Sequence, residues 1–309
     1  TRAYKVELAR EGRDPMAAYH RHYELFRRHF RNTTVLCIDD QAGGGWNPHP
    51  DPELMQHARR IGFGFRDDSI MVGLPPNSWE HANWAKLFAP NAPVFVENEH
   101  YCLSATRGAW SDDLLVESVE DNRATWLSLH GWPQELKDKA GDAYRRAALR
   151  VGYRFEPRRI SFPESVRIDE PVTVESTWVN SGTAQKTKPA TLAWSLTDAR
   201  GAVVWSCTDD AFDFMSLEPK LQGVEKPREV KSTCRFGFTK KIPLPDNCVV
   251  WARQVGRQFP DMVTMLKPGT YTFAVSVGSP QGTPEIALPL EGQLGDTRRY
   301  ALGKITVTP

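Results

Sequence analysis

The sequence predicts half of a (β/α)8 barrel over residues 1–152, followed by an antiparallel β-sandwich over residues 153–309. Four apolar runs carry the first part of this prediction, and they start at Thr34, Ile61, Pro93 and Ala124. Their spacings of 27, 32 and 31 residues match the roughly 30 residues that one strand and its returning helix occupy. Beyond residue 151 apolar residues alternate with polar ones, as in residues 271–277, which is typical of an immunoglobulin-like sandwich.

Helices are predicted between the apolar runs, where start signals and amphipathic spacing occur. An early helix over residues 16–30 places aromatic residues on one face and many Arg and His residues on the other. Later helices are predicted to start near Asp51, Ser78, Ser111 and Gln134. A short strand over residues 3–7 is expected before them all. The resulting four or five strand–helix units make up half of an eight-fold barrel.

Charge and hydropathy exclude several classes of partner. Lys and Arg number 39 against 38 Asp and Glu, so the net charge of +1 gives no footprint of a nucleic-acid binder. No stretch approaches the roughly 18 apolar residues of a membrane helix. We therefore predict neither a nucleic-acid partner nor a membrane partner. Cys207, Cys234 and Cys248 lie close enough in sequence for one disulfide, but their spacing does not assign it.

Polar and titratable residues follow every predicted strand of the first domain. In barrels of this type, catalytic residues gather at the carboxyl ends of the strands. The residues expected to converge there on one open pocket are Asp40, Asp67, Glu97 and His130. A solvated loop or a helix cap is the alternative interpretation for any single pair of Asp residues. Four consecutive strand ends of this kind favour a functional pocket.

Several short segments carry a resemblance to a known family. They are RIGFGFRDD at 60–68, PVFVE at 93–97, LRVGYRF at 149–155, WVNSGTA at 178–184, LPL at 288–290 and RYALG at 299–303. Together they resemble the glycosidase-like (β/α)8 barrels that are followed by a C-terminal β-sandwich, in particular a bacterial group whose barrel domain is of unknown function. The resemblance spans most of the chain.

The resemblance implies a carbohydrate substrate and an extracellular or periplasmic location. It also implies that the chain begins near strand four of the barrel. The first half of the barrel would then come from another chain or from residues outside this sequence, since half a barrel leaves open sheet edges. No cofactor is predicted. The glycine stretch at 43–45 is interpreted as a flexible loop over the barrel mouth, because it lacks the following Lys-Ser/Thr and helix of a phosphate cradle.

Glycoside hydrolysis usually needs two carboxyl groups, one that protonates the leaving oxygen and one that acts as nucleophile or activates water. In the barrels that the chain resembles, the nucleophile ends strand seven. Counting strands back from the last apolar run assigns this place to Glu97, with Glu99 as the second choice. The partner acid should end strand four, where Glu7 is the local candidate. Asp40 and Asp67 could take that role in a site of different geometry.

Further residues are candidates for binding the sugar. Indole rings match the apolar C–H face of a pyranose, and the candidates for such stacking are Trp46, Trp79 and Trp132. His100 and His130 are expected to orient a carboxylate, and a metal site that includes Asp67 is the less favoured alternative. The competing function is a non-catalytic carbohydrate-binding or scaffold protein on a degenerate barrel. Turnover of aryl glycosides would separate the two functions.

Overall fold

A computed structural model describes residues 2–38, 52–71, 82–89, 91–129, 133–221, 223–242 and 262–309. The chain divides into two compact units. The first consists of Thr1–Arg154, Asn180–Thr187 and Leu217–Arg228, and the second of Phe155–Val179, Lys188–Ser216 and Glu229–Pro309. We call them the α/β unit and the β unit. None of the helices in the described ranges combines the length and the hydropathy that a bilayer crossing requires.

The α/β unit contains a four-stranded parallel sheet. Its strands pair in chain order and are β1 (Leu36–Ile38), β2 (Gly64–Ile70), β3 (Val94–Asn98) and β4 (Trp126–Leu129). Leu36 pairs with Gly64 and Phe65 pairs with Val94, so that neighbouring strands run in the same direction. The prediction of consecutive parallel strands from the 30-residue period is therefore confirmed.

Helices connect these strands and precede the sheet. In the described part of the chain they are α1 (Arg2–Arg10), α2 (Pro15–His29), α3 (Pro52–Arg60), α4 (Ala82–Phe88), α5 (Tyr101–Thr106), α6 (Asp112–Asp121) and α7 (Pro133–Arg150). The Asp14 carboxylate accepts a hydrogen bond from the Met16 amide at the start of α2, and the Ser111 hydroxyl accepts one from the Leu114 amide at the start of α6. These caps satisfy amide groups that have no partner within the helix.

The strand predicted over residues 3–7 is wrong, because helix α1 covers this segment. The segment continues into Leu, Ala and Arg residues, which are strong helix formers. Leu8 is buried while Val6 is exposed. In a strand these two residues would lie on the same face and share the same burial, so their difference does not fit a strand. Helix propensity summed over nine residues outweighs the short alternating pattern that suggested a strand.

The core of the α/β unit is formed by one face of the sheet and the helices. Phe65 of β2 stacks on Phe88 of α4, with ring centroids 5.5 Å apart. Val94 and Val96 of β3 are fully buried in the same cluster, together with Leu115 of α6. Each fully buried side chain of this size contributes roughly 1.5–3 kcal/mol through removal of apolar surface from water. We call this side of the sheet the helix-covered face.

The β unit is built from short strands. They are β5 (Phe155–Ser161), β6 (Ser165–Arg167), β7 (Val172–Asn180), β8 (Thr191–Thr197), β9 (Val203–Asp209), β10 (Val230–Phe236), β11 (Thr239–Ile242), β12 (Met262–Met265), β13 (Gly269–Gly278), β14 (Pro284–Ile286) and β15 (Tyr300–Thr308). Asn180, the last residue of β7, is assigned to the α/β unit. A short 3-10 helix spans Phe214–Ser216.

These strands form two principal sheets. One has the order β10-β7-β5, and the other has the order β6-β15-β13-β8-β9, with β14 added beside β13. Antiparallel pairing joins β7 to β10, β8 to β9 and β13 to both β8 and β15, as the alternating pattern predicts. Strand β6 pairs with β15 in parallel, so the larger sheet is mixed. Alternate residues of β7 are buried, and Trp178 on that strand packs edge-on against Phe214.

Candidate functional site

Glu97 lies near the carboxyl end of β3, the third strand of the parallel sheet. Phe95 and Glu97 project from one side of β3, because the side chains of a strand alternate and Val94 and Val96 occupy the helix-covered face. The residues that pair with them share this side of the sheet: Phe95 pairs with Arg66 and Trp126, and Glu97 pairs with Ser128. We call the side formed by Arg66, Phe95, Glu97, Trp126 and Ser128 the open face. Trp126 is 44% exposed there.

An ion pair joins Glu97 to the neighbouring strand on the open face. Nη2 of Arg66 contacts Oε2 of Glu97. The Glu97 residue is only 7% exposed, whereas the Arg66 side chain is 32% exposed. The Arg66 guanidinium also lies over the Phe95 ring, 5.4 Å from its centroid, where the ring quadrupole attracts a cation. Two contacts therefore orient the guanidinium, and the guanidinium in turn orients the carboxylate.

Glu99 takes part in the start of helix α5 instead of extending the strand. Its Oε1 accepts a hydrogen bond from the His100 amide at 3.0 Å, and its Oε2 pairs with Nη2 of Arg107 at 3.0 Å. The Glu99 amide donates to the carbonyl of Ile70 at the end of β2, at 3.0 Å. His100 is the N-cap residue of α5, directly before Tyr101. The structure thus places Glu99 and His100 in the turn after β3, beyond the last strand residue.

Asp67 and Glu97 lie on opposite faces of the sheet. Asp67 pairs with Val96, so its side chain projects to the helix-covered face, where the residue is 3% exposed. Asp67 therefore does not share the open face with Glu97. Glu7 projects from helix α1 and is exposed.

Several predicted site residues lie outside the described part of the chain. They are Asp40, Trp46, Trp79, His130 and Trp132. The expected pocket formed by Asp40 and His130 with Glu97 therefore stays a prediction. Among the residues that the structure describes, no three His, Cys, Asp or Glu side chains come close enough to hold a metal ion.

Arg66 is the residue of this site that sequence reasoning missed. The sequence contained a signal for this contact. Phe65 pairs with Val94 in the sheet, so the next residues, Arg66 and Phe95, also pair and share the opposite face. A long arginine side chain reaches beyond its own pairing partner to the next residue of the same face, which is Glu97. Counting strand positions together with strand order would have found this contact.

The β unit contains a cavity that the sequence did not reveal. It has a volume of about 430 Å³, and its lining includes Trp205, Ser206, Cys207 and Phe236 together with residues 280–282. The rings of Trp205 and Phe236 are 4.5 Å apart between centroids. We call it the aromatic cavity. It combines aromatic faces with hydroxyl groups, a combination that suits ligands with one apolar side and polar edges.

Comparisons with known proteins add little to this picture. No protein-family model matches the sequence, and no curated protein sequence matches it significantly. The chain is of mixed α/β class, with a parallel sheet and helices followed by antiparallel and mixed sheets. Solved structures align with it only distantly.

A β-glucosidase from Listeria innocua in complex with glucose is 10% identical, with a TM-score of 0.27, over 84% of this chain and 39% of the glucosidase. A CARDB domain from Pyrococcus furiosus with di-metal ions is 11% identical, with a TM-score of 0.26, over 50% of this chain and 93% of that domain. An alkylpurine DNA glycosylase from Pseudomonas fluorescens is 10% identical, with a TM-score of 0.25, over 84% of this chain and 53% of that protein. Scores at this level do not establish a common fold.

Proposed function

We propose that this chain belongs to a glycoside hydrolase-like protein that acts on an oligo- or polysaccharide, with Glu97 as a catalytic carboxylate. The observation that supports the proposal is the position of Glu97. Its carboxylate lies near the carboxyl end of a central parallel strand, on the face of the sheet opposite the apolar cluster that contains Val94 and Val96. In a closed (β/α)8 barrel, strand ends in this position surround the active site.

The ion pair with Arg66 supports a catalytic role for the Glu97 carboxylate. Arg66 holds the carboxylate of Glu97 in one orientation while most of the residue is buried. Hydrolysis of a glycoside passes through a transition state with positive charge at the anomeric carbon, which a fixed carboxylate stabilises or attacks. Arg66 is a positioning residue in this proposal. For the partner acid, Asp40 remains a candidate by sequence position. Glu7 loses the position that suggested it, because helix α1 replaces the strand that Glu7 was expected to end.

The test is turnover of a panel of aryl glycosides by the full chain and by Glu97→Gln. We expect Glu97→Gln to lose at least about a thousandfold in kcat while its circular dichroism spectrum stays unchanged. Glu117→Gln is the matched control, because Glu117 is exposed in the middle of helix α6. Unchanged turnover in a folded Glu97→Gln protein would reject the role. Rescue of Glu97→Ala by azide would identify the carboxylate as a nucleophile.

A second candidate function is carbohydrate binding without cleavage, which the aromatic cavity favours. Trp205 and Phe236 offer ring faces there, and Ser206 and Thr208 offer hydroxyl groups. The experiment is titration of the chain with oligosaccharides, followed by isothermal calorimetry. Trp205→Ala should abolish binding at this cavity, whereas Val203→Ala, at an exposed position on the same strand, should not. Binding without turnover by the wild-type chain would favour this function over hydrolysis.

A further inference from the structure

Strands β9 and β10, at the edges of the two sheets of the β unit, face each other through three successive side-chain contacts. The Ser232 hydroxyl donates to Oδ2 of Asp209 at 2.8 Å. Two residues back along β9 and two residues forward along β10, the thiol of Cys207 hydrogen-bonds to Cys234.

The third contact is the Trp205–Phe236 ring pair at 4.5 Å between centroids. From one contact to the next, the residue number falls by two on β9 and rises by two on β10. This is the spacing of two strands that run in opposite directions with one face of each turned to the other. The two thiols therefore occupy the middle of a continuous ladder between the two sheets.

We propose that Cys207 and Cys234 are an oxidisable dithiol, and that their disulfide covalently joins the two sheets of the β unit. Both cysteines are reduced in the structure. Contacts on either side already hold the strands at the separation that a hydrogen bond between the two thiols requires, so cross-linking needs little movement of the backbone. Cys207 lines the aromatic cavity and is partly exposed, whereas Cys234 is buried, so an oxidant reaches Cys207 first.

The oxidant in this proposal is a small-molecule disulfide. Cys207 loses its proton and attacks one sulfur of that disulfide, which expels one small thiolate and leaves a mixed disulfide on Cys207. Cys234 then loses its proton and attacks the Cys207 sulfur, which expels the second small thiolate. The two released protons are taken up by the two thiolates. The protein dithiol is oxidised by two electrons, and the external disulfide is reduced by two.

The surroundings of the pair make the exchange slow at neutral pH. Burial, followed by the charge of Asp209, raises the pKa of Cys234 to about 11. Burial is also the main cause of a raised pKa at Cys207, with further contributions from Cys234, Asp209 and Asp210. Because only the thiolate attacks, the rate should rise about tenfold per pH unit between about pH 7 and about pH 9. The reduced pair gains no stability from ionisation at neutral pH, which favours retention of the disulfide once it has formed.

The test is incubation of the full chain with oxidised glutathione, followed by tryptic mapping without reduction. We expect peptide 201–220 joined to peptide 232–235, lighter by two hydrogen atoms than the two thiol peptides together. The linked species should be absent from Cys207→Ser and from Cys234→Ser, and present in Cys102→Ser, since Cys102 is exposed on α5 in the other unit. A Cys248→Ser chain should form the same linkage.

Two results would overturn the proposal. One is a map in which Cys207 or Cys234 is joined to Cys248, or in which both carry only glutathione. The other is a linkage rate that does not rise with pH, which would show that the buried thiols are not the attacking groups. The linked chain should also unfold at a higher urea concentration than Cys207→Ser treated in the same way, because the cross-link restricts the unfolded chain.

Discussion

The guanidinium of Arg66 and the carboxylate of Glu97 join two neighbouring parallel strands on the open face of the sheet. The carboxylate is nearly buried, while the arginine keeps about a third of its side chain in contact with solvent. A carboxylate with this degree of burial depends on its cationic partner, because transfer of a charge out of water is costly unless it is paired. The pair therefore serves the stability of the sheet as well as the chemistry proposed for Glu97.

Replacement of Arg66 should destabilise the chain more than replacement of Glu97. Arg66→Met removes the guanidinium and leaves a buried carboxylate, at a cost of about 2 kcal/mol, reduced from the value for fully buried pairs because Arg66 is partly exposed. Glu97→Gln should cost less, since its amide oxygen still accepts from the guanidinium. Urea unfolding of Arg66→Met and Glu97→Gln compares the two costs, and urea unfolding of Arg66→Met, Glu97→Met and the double variant Arg66→Met/Glu97→Met measures the coupling energy. A coupling energy near zero would contradict this account.

The stability of the α/β unit should fall as the pH drops below about 6.5 because of His57 on α3. Burial first, and then the neighbouring His20, lowers the pKa of His57; Arg60 acts in the same direction and Glu24 opposes it. The rings of His57 and His20 are stacked at 4.2 Å between centroids. The unfolded chain therefore takes up the proton at higher pH than the folded chain does, so protonation favours unfolding in this window.

This pH dependence can be measured with one variant and one control. His57→Gln should show a smaller loss of urea midpoint than the wild-type chain between about pH 7 and about pH 5. His29→Gln should behave like the wild type, because His29 is exposed near the end of α2. Equal pH dependence in His57→Gln and the wild type would show that His57 is not the group responsible.

Asn180 should be among the least replaceable polar residues of the α/β unit. Its Oδ1 accepts hydrogen bonds from the amides of Arg154 at 2.9 Å and Gly182 at 3.1 Å, and its Nδ2 donates to the carbonyl of Ala184 at 2.9 Å. Asn180→Ala leaves these buried or half-buried backbone groups without that partner, at an expected cost of about 2–4 kcal/mol. Urea unfolding measures it, with Asn32→Ala at an exposed turn as the control. Equal midpoints for the two variants would refute the role.

Arg123 occupies a position that glycine would fill better. It follows α6 with a φ of 51°, in the left-handed region, and the Ala124 amide donates to the Val119 carbonyl at 3.0 Å to close the helix end. Arg123→Gly should raise the melting temperature through a gain of about 0.5–1 kcal/mol, since glycine adopts this conformation without steric cost. Arg123→Ala keeps the strained φ and should give no such gain. A gain in both variants would instead implicate the arginine side chain.

The sequence by itself determined the order and kind of most elements. The 30-residue period predicted the parallel strands β1 to β4, and the alternation after residue 151 predicted the strands of the β unit. Such periods are local, because each residue's exposure repeats with the geometry of its own helix or strand. The strand predicted over residues 3–7 was wrong, because a five-residue pattern is too short to outweigh the helix propensity of the surrounding residues.

The tertiary structure alone decided which distant residues meet. Arg66 reaches Glu97 only because β2 and β3 are neighbours in a particular register, and Asp67 is turned away from Glu97 by that same register. Cys207 meets Cys234 through the alignment of two strands that belong to different sheets. Each of these contacts depends on packing between segments far apart in the chain, and the free energy of that packing is set by the whole core, which no local pattern of residues contains.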